Sequence, residues 1–170
     1  MNGVLGKAFD RIRDALDKDT RHLRQAGKFV QQEAVKRAPE ESGKLKNSIK
    51  YRIVEEDGEK TVEVYSDLHY AMFMEMGTGP RGQAHHEGVA PDVPWHYRST
   101  PWYIHESMVE KRLAEKYHWK EIHTKNGTFY LCWGSVAHPF LYPAVKDNEQ
   151  KIADIMADGY RKAMRKARKR

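Results

Sequence analysis

Ala38-Pro39-Glu40-Glu41-Ser42-Gly43-Lys44-Leu45-Lys46-Asn47-Ser48-Ile49 is the stretch that decides the fold, because it ends a helix, redirects the chain and opens a strand. Pro39 brings no amide donor and disfavours a helical conformation at Ala38, so it stops a helix that reaches it. Ser42 can cap a short turn through its hydroxyl and Gly43 tolerates positive φ, after which Leu45 and Ile49 can turn inward. Upstream, Leu5, Phe9, Ile12, Leu16, Leu23, Ala26, Val30 and Ala34 keep a helical stripe with charged residues on the other faces. The pattern predicts one long amphipathic helix from Val4 to Arg37, about 50 Å if unbroken at 1.5 Å per residue. A small domain does not need that length, so part of the helix is expected to pack on another subunit. Gly27 interrupts the stripe at about 1 kcal/mol relative to Ala, which marks a kink or a close helix contact.

Downstream, Ile49, Tyr51 and Ile53 alternate on one face, Glu56-Asp57-Gly58-Glu59 supplies a hairpin turn, and Val62 and Val64 alternate on the return. Asp67 stands where a cap is wanted, and Tyr70, Phe73, Met74 and Gly77 fall at helical spacing, giving a short buried helix that ends at Gly77-Thr78-Gly79-Pro80. Residues 80 to 101 hold four prolines and three histidines and read as an irregular loop. Glu106 to Tyr117 suits a surface helix. Trp119 to His123 and Thr128 to Trp133, joined at Lys125-Asn126-Gly127, suit a second hairpin. Pro139 and Pro143 bracket an extended segment, and a last helix runs from Ala144 with Val145, Ile152, Ile155, Met156, Ala163 and Ala167 on its stripe. The fold class is therefore α+β: a long N-terminal helix, a small antiparallel sheet of hairpins and a C-terminal helix. The expected organisation is a single domain over residues 1–170, with residues 80–136 as a loop-rich insertion holding a helix and a hairpin.

The bulk properties narrow the function classes. The 170 residues allow one ordinary domain with a core, while 32% charged residues and a mean hydropathy of -0.85 describe a very polar surface. Lys and Arg outnumber Asp and Glu by 30 to 24, a mild excess that ordinary solubility explains as well as nucleic-acid binding does. Cys132 is the lone cysteine, which excludes an intramolecular disulfide and fits a reducing cytoplasm. No run of eighteen apolar residues occurs, and Asp10 and Asp14 fall where a signal peptide needs an apolar stretch, so neither export nor membrane insertion is expected.

Reactive chemistry finds no footing. Gly77-Thr78-Gly79-Pro80-Arg81-Gly82 spells G-x-G-x-x-G, but a phosphate-cradling loop leaves a strand and opens a helix, whereas Pro80 and a Pro/His loop follow here. His85, His86 and His96 beside Glu87 and Asp92 lack a metal-ligand spacing, and no H-E-x-x-H occurs. The serines have no G-x-S-x-G setting, and Cys132 sits between Leu131 and Trp133 as a core filler. Glu55, Glu56, Asp57 and Glu59 gather at a hairpin tip, where hydration explains them. No enzyme, cofactor or metal is expected. The last ten residues carry seven cations, Arg161, Lys162, Arg165, Lys166, Arg168, Lys169 and Arg170. They suit the helix dipole as well as a phosphate or an acidic partner, and any DNA contact through them is nonspecific.

Three segments in order carry a family resemblance: Pro39, Gly43, Leu45, Ser48 and Ile49 in the first; Tyr70, Ala71, Phe73, Glu75, Gly77 and Thr78 in the second; Pro139, Phe140, Leu141, Pro143 and Ala144 in the third. With their flanking elements they cover about two thirds of the chain and resemble the tail-completion, or neck, proteins of tailed bacteriophages, the gene-ten-product-like head-tail joining proteins. Residues 81–136 depart from the shorter members. The resemblance implies an α+β structural subunit that assembles as a ring of roughly six or roughly twelve copies, sits at the virion neck after assembly in the host cytoplasm, and contacts other neck, connector and tail-terminator proteins; no membrane is expected, and the basic C-terminal residues offer a nonspecific contact to packaged DNA. Trp95, Tyr97, Trp102 and Tyr103 are candidate partner contacts, or equally a satellite core. The alternative function is a nonspecific DNA-binding module that uses the basic C-terminal helix.

Overall fold

Helix α1 (Arg21–Arg37) ends where Pro39 requires: Ala38 is extended at ψ 136° and still donates its N–H to Ala34 O. The computed structural model describes residues 19–40 and 43–168, so the expected helix from Val4 to residue 18 and the Ser42 cap lie outside the described residues. The chain forms two compact units, one made of Met1–Leu68 with Phe140–Arg170 and the other of His69–Pro139. The architecture is α+β, with two separate antiparallel sheets.

In the first unit Leu23, Ala26, Val30 and Ala34 of α1 are buried, as the stripe requires. They face the hairpin β1 (Ile49–Glu56) and β2 (Glu59–Ser66), and α1 also packs on α7 (Leu141–Lys146) and α8 (Glu149–Arg168). Asp57 and Gly58 form the turn with φ of 52° and 82°, the double positive φ of a tight hairpin closing Glu56 on Glu59. Between α1 and the hairpin, Gly43 takes φ 67° and opens α2 (Lys44–Ser48), a single turn that buries Leu45 and Ser48. Ser48 Oγ donates to Leu45 O at 2.7 Å and lies 2.7 Å from Ser66 Oγ, which accepts the Leu68 N–H at 3.2 Å. The first motif thus pins the start of β1 to the end of β2 through two hydroxyls, and Gln31 Nε2 donates to Ile49 O at 2.7 Å to tie both to α1. Gly27 makes its close approach to the sheet residues Tyr51 and Val62, not to a helix.

Two expectations about the return of the chain are corrected. Helix α7 already starts at Leu141, so Leu141 and Pro143 are helical instead of extended. Pro143 stands in the first turn, where its missing N–H has no intrahelical partner to lose. A break at Asp147-Asn148, where Asn148 Nδ2 donates to Ala144 O, separates α7 from α8. Phe140 and Ala144 have no solvent exposure.

The second unit opens with α3 (Ala71–Met76). Asp67 does not cap it, since Tyr70 is the cap residue and no side chain caps the helix; Asp67 Oδ2 instead accepts from Lys50 Nζ at 2.7 Å. The helix is buried only in part: Ala71, Glu75 and Met76 are inside, while Met72 and Phe73 are 50% and 47% exposed. Residues 80 to 101 are not wholly irregular, because α4 (Gly79–Gln83) carries Pro80 in its first turn and α5 (His86–Val89) follows. Strand β3 (Trp102–His105), absent from the sequence reading, pairs with β5 (Gly127–Cys132), which also pairs with β4 (Lys120–Thr124) in the expected hairpin. The expected helix from Glu106 is confined to α6 (Lys111–Lys116). His105 Nδ1 accepts the Ser107 N–H and fixes a 3-10 turn, which leaves Met108 79% exposed instead of on a helical face. Thr78 and Ser135 bridge their backbones at 3.0 and 3.1 Å and their hydroxyls at 3.1 Å.

Candidate docking surfaces

The second motif and the aromatic loop meet in one cleft of about 400 Å³ inside the His69–Pro139 unit. Phe73, Gly77, Thr78 and Gly79 line it from the motif, and Trp95, His96, Tyr97, Arg98 and Trp102 from the loop and β3. The glycines of the G-x-G-x-x-G string have a packing role here. A Cβ on Gly79 would lie 2.8 Å from Trp102 Cζ3, and one on Gly82 would lie 2.8 Å from Tyr97 Cε1. Glycine therefore lets the two rings rest on backbone.

Tyr97 is held by a short relay. Its hydroxyl donates to Met76 O at 2.9 Å, which leaves the oxygen to accept from His86 Nδ1–H at 3.0 Å. Burial raises the Tyr97 pKa, so the phenol stays a donor. Trp95 meets Tyr97 edge-on with centroids 6.5 Å apart, and the Arg98 guanidinium lies 5.3 Å from the Trp102 ring centre. The cleft presents flat apolar walls, with Arg98 and His96 as its charged or ionisable members. Of the four aromatics singled out in the sequence, Trp95, Tyr97 and Trp102 come together, whereas Tyr103 points elsewhere on β3 and is 62% exposed. The sequence reading missed Phe73 as an exposed wall and Arg98 altogether, and it weighed His86 only as a metal ligand, not as a partner of Tyr97. The sole available signal for Phe73 was its place across the helix from Ala71 and Glu75, on an element of only six residues.

The remaining motif residues are mostly withdrawn from solvent. Leu45, Ile49, Phe140 and Ala144 are buried, Pro39, Leu141 and Pro143 half-buried in the first unit, and Pro139 half-buried in the second. Glu75 is 6% exposed within α3. At the C-terminus, Arg161, Lys162, Arg165 and Lys166 project from α8 as exposed side chains, Arg168 closes the helix, and Lys169 and Arg170 lie outside the described residues.

Histidine chemistry resolves into local bonding. His85 Nδ1 donates to Arg81 O at 2.9 Å, and His105 Nε2 donates to Asn126 O at 3.1 Å while its Nδ1 accepts from Ser107 Oγ at 2.8 Å. The last pair has the composition of a nucleophile and base, but the same Nδ1 also accepts the Ser107 N–H, so it serves as a turn cap. Cys132 is 3% exposed and burial pushes its thiol pKa up, away from nucleophilic thiolate. Among the described residues no three of His, Cys, Asp and Glu converge as metal ligands. In the first unit, Asp19, His22, Glu55, Glu59, Lys60 and Tyr160 line a polar cleft of about 440 Å³. His22 is 4% exposed, its ring 4.4 Å from that of Tyr160, and burial lowers its pKa against the opposing charge of Asp19.

Neither the curated proteins nor the solved structures returned a match to the chain. Residues 4–77 match the family model HK97-gp10_like, described as "Bacteriophage HK97-gp10, putative tail-component". That span takes in α1, the whole first motif, the β1–β2 hairpin and the second motif to Gly77. Over these residues the chain is similar to a phage tail-component family, the kind of family to which its ordered motifs also point.

Proposed function

We propose that this protein is a structural component of the phage virion that assembles as a ring at the neck and completes the head-tail connection. The observation that carries the reading is the family match over residues 4–77, which spans the first ordered motif and the second as far as Gly77. The cleft supports it: the second motif supplies Phe73 and the glycine floor, and residues of the 80–136 segment supply the facing aromatics, so this segment elaborates the tail-completion domain with a docking surface. Rigid aromatic walls with a rim arginine suit protein contact, since Trp, Tyr and Arg dominate binding energy at interfaces. Other neck, connector and tail-terminator proteins are the proposed partners, the virion neck is the proposed location after assembly in the host cytoplasm, and no catalytic step is assigned.

Electron microscopy of the purified protein tests the ring directly. Closed particles with rotational symmetry of roughly six, or roughly twelve, are expected. Deleting the gene should leave filled heads and tails that fail to join stably. Infectious particles formed without the protein, or its location on the capsid exterior, would overturn the proposal.

A further inference from the structure

The net charge of the chain is confined to one part of it. The His69–Pro139 unit carries seven Lys and Arg against seven Asp and Glu, so the whole formal +6 belongs to the first unit, and residues 161–170 hold seven cations with no acidic residue. Helix α8 changes character along its length. Glu149, Asp154 and Asp158 lie in its first half, and after the Asp158–Arg161 pair at 2.8 Å only cations are charged. Lys162, Arg165 and Lys166 are exposed and make no ion pair among the described residues.

Their spacing is regular. Arg161 and Arg165 form one row and Lys162 and Lys166 the next, each pair four residues and about 6 Å apart along the axis. The sequence beyond them adds Arg168, Lys169 and Arg170. Ala163, between them, is turned inward at 2% exposure, so the helix remains seated while the cations face out. We infer that this end of α8 binds the phosphate backbone of double-stranded DNA without reading its sequence.

Three alternatives fit the geometry less well. A membrane surface requires an apolar helix face in the same segment, and only Tyr160 and Met164 are exposed there. A specific acidic protein would be met by an apolar anchor among the charges, whereas these rows hold repeated point charges. Base reading would need an element shaped for a groove or aromatics interleaved with the cations, and neither is present after Tyr160. Duplex DNA offers a phosphate every 3.4 Å or so along each strand, so a row of cations meets charge in any register. The inference stands on charge and placement and does not require the ring.

The test is fluorescence anisotropy of a labelled duplex of about 20 base pairs with the full chain, at salt from about 50 to 200 mM. With about six phosphate contacts, affinity should fall by about a thousandfold over that range. Two unrelated duplex sequences should bind within about twofold of each other. The variant Lys162→Gln/Arg165→Gln/Lys166→Gln should bind more weakly and reduce the slope of log K against log salt by about 2.7. Its circular dichroism and its particle symmetry should match the parent, so loss of DNA binding is read apart from loss of assembly. Unchanged binding by the variant, binding insensitive to salt, no binding at about 50 mM salt, or stronger binding to anionic vesicles than to DNA each overturns the inference.

Discussion

Replacing Gly27 by alanine sets two local rules against each other, and the structure decides the sign. In the interior of a helix, Gly→Ala is worth about 1 kcal/mol in favour of folding. Gly27 is buried in the middle of α1, however, and a Cβ built there lies 2.5 Å from Val62 Cγ2, 2.8 Å from Tyr51 Cδ2 and 3.1 Å from Tyr51 Cγ. Carbon atoms pack best at about 3.5 to 4.0 Å, so Val62 must retreat by about 1 Å and the Tyr51 ring by about 0.7 Å. Val62 is β-branched and confined within β2, which makes a rotamer escape costly. Overpacking of this kind costs about 1 to 3 kcal/mol, giving a net destabilisation of about 1 kcal/mol and a lowering of Tm by about 2 to 4 °C. Urea denaturation followed by far-ultraviolet circular dichroism measures it. In a Val62→Ala background, Gly27→Ala should cost about 1 kcal/mol less, the coupling expected of two groups in contact. A Gly27→Ala variant more stable than the parent by the full helix-propensity gain, or a double-mutant coupling of zero, would refute the close approach of α1 to the sheet.

Phe140 has no exposure and is among the largest fully buried side chains, so Phe140→Ala should cost about 3 to 5 kcal/mol, and an unchanged denaturation midpoint would contradict its burial. For His22, burial lowers the folded-state pKa below the unfolded value near 6.5, so the unfolded chain takes up the proton first. Its contribution is therefore complete above about pH 6.5 and declines as pH falls through that value, and His22→Phe should remove this component from the stability profile between about pH 7 and 5. Identical slopes for variant and parent would show that His22 is as free to ionise folded as unfolded.

How far the sequence carries depends on whether a signal is local. The stop at Pro39, the left-handed Gly43 and the Asp57-Gly58 turn are each enforced by one or two residues, and each appears as read. Strand β3 was hidden because Trp102-Tyr103-Ile104-His105 has neither clear alternation nor a turn of its own, and its partner β5 is more than twenty residues away. Met108 and Val109 suggested a helix by spacing, but the bond between His105 Nδ1 and the Ser107 amide commits the segment to a tighter turn. The candidate cleft was half legible. Composition singled out Trp95, Tyr97 and Trp102, yet nothing in the sequence says that they close on Phe73, or that a G-x-G-x-x-G string serves as their seat. The His86–Tyr97–Met76 relay is a product of tertiary placement alone.

The first unit is discontinuous in the chain, and this has a consequence for its synthesis. Translation delivers α1 and the β1–β2 hairpin, then all 71 residues of His69–Pro139, and only then α7 and α8, which pack on α1. At about 5 to 20 residues per second, the intervening segment occupies the ribosome for about 4 to 14 seconds. By the end of that interval the second unit has its complete sequence ahead of the first, while the flank of α1 that receives α7 and α8 lies bare. The second unit is thus able to fold before the first closes its core, which waits for α7 and α8 to emerge. The nascent chain is then most exposed to aggregation and to chaperones along α1, just before α7 and α8 emerge.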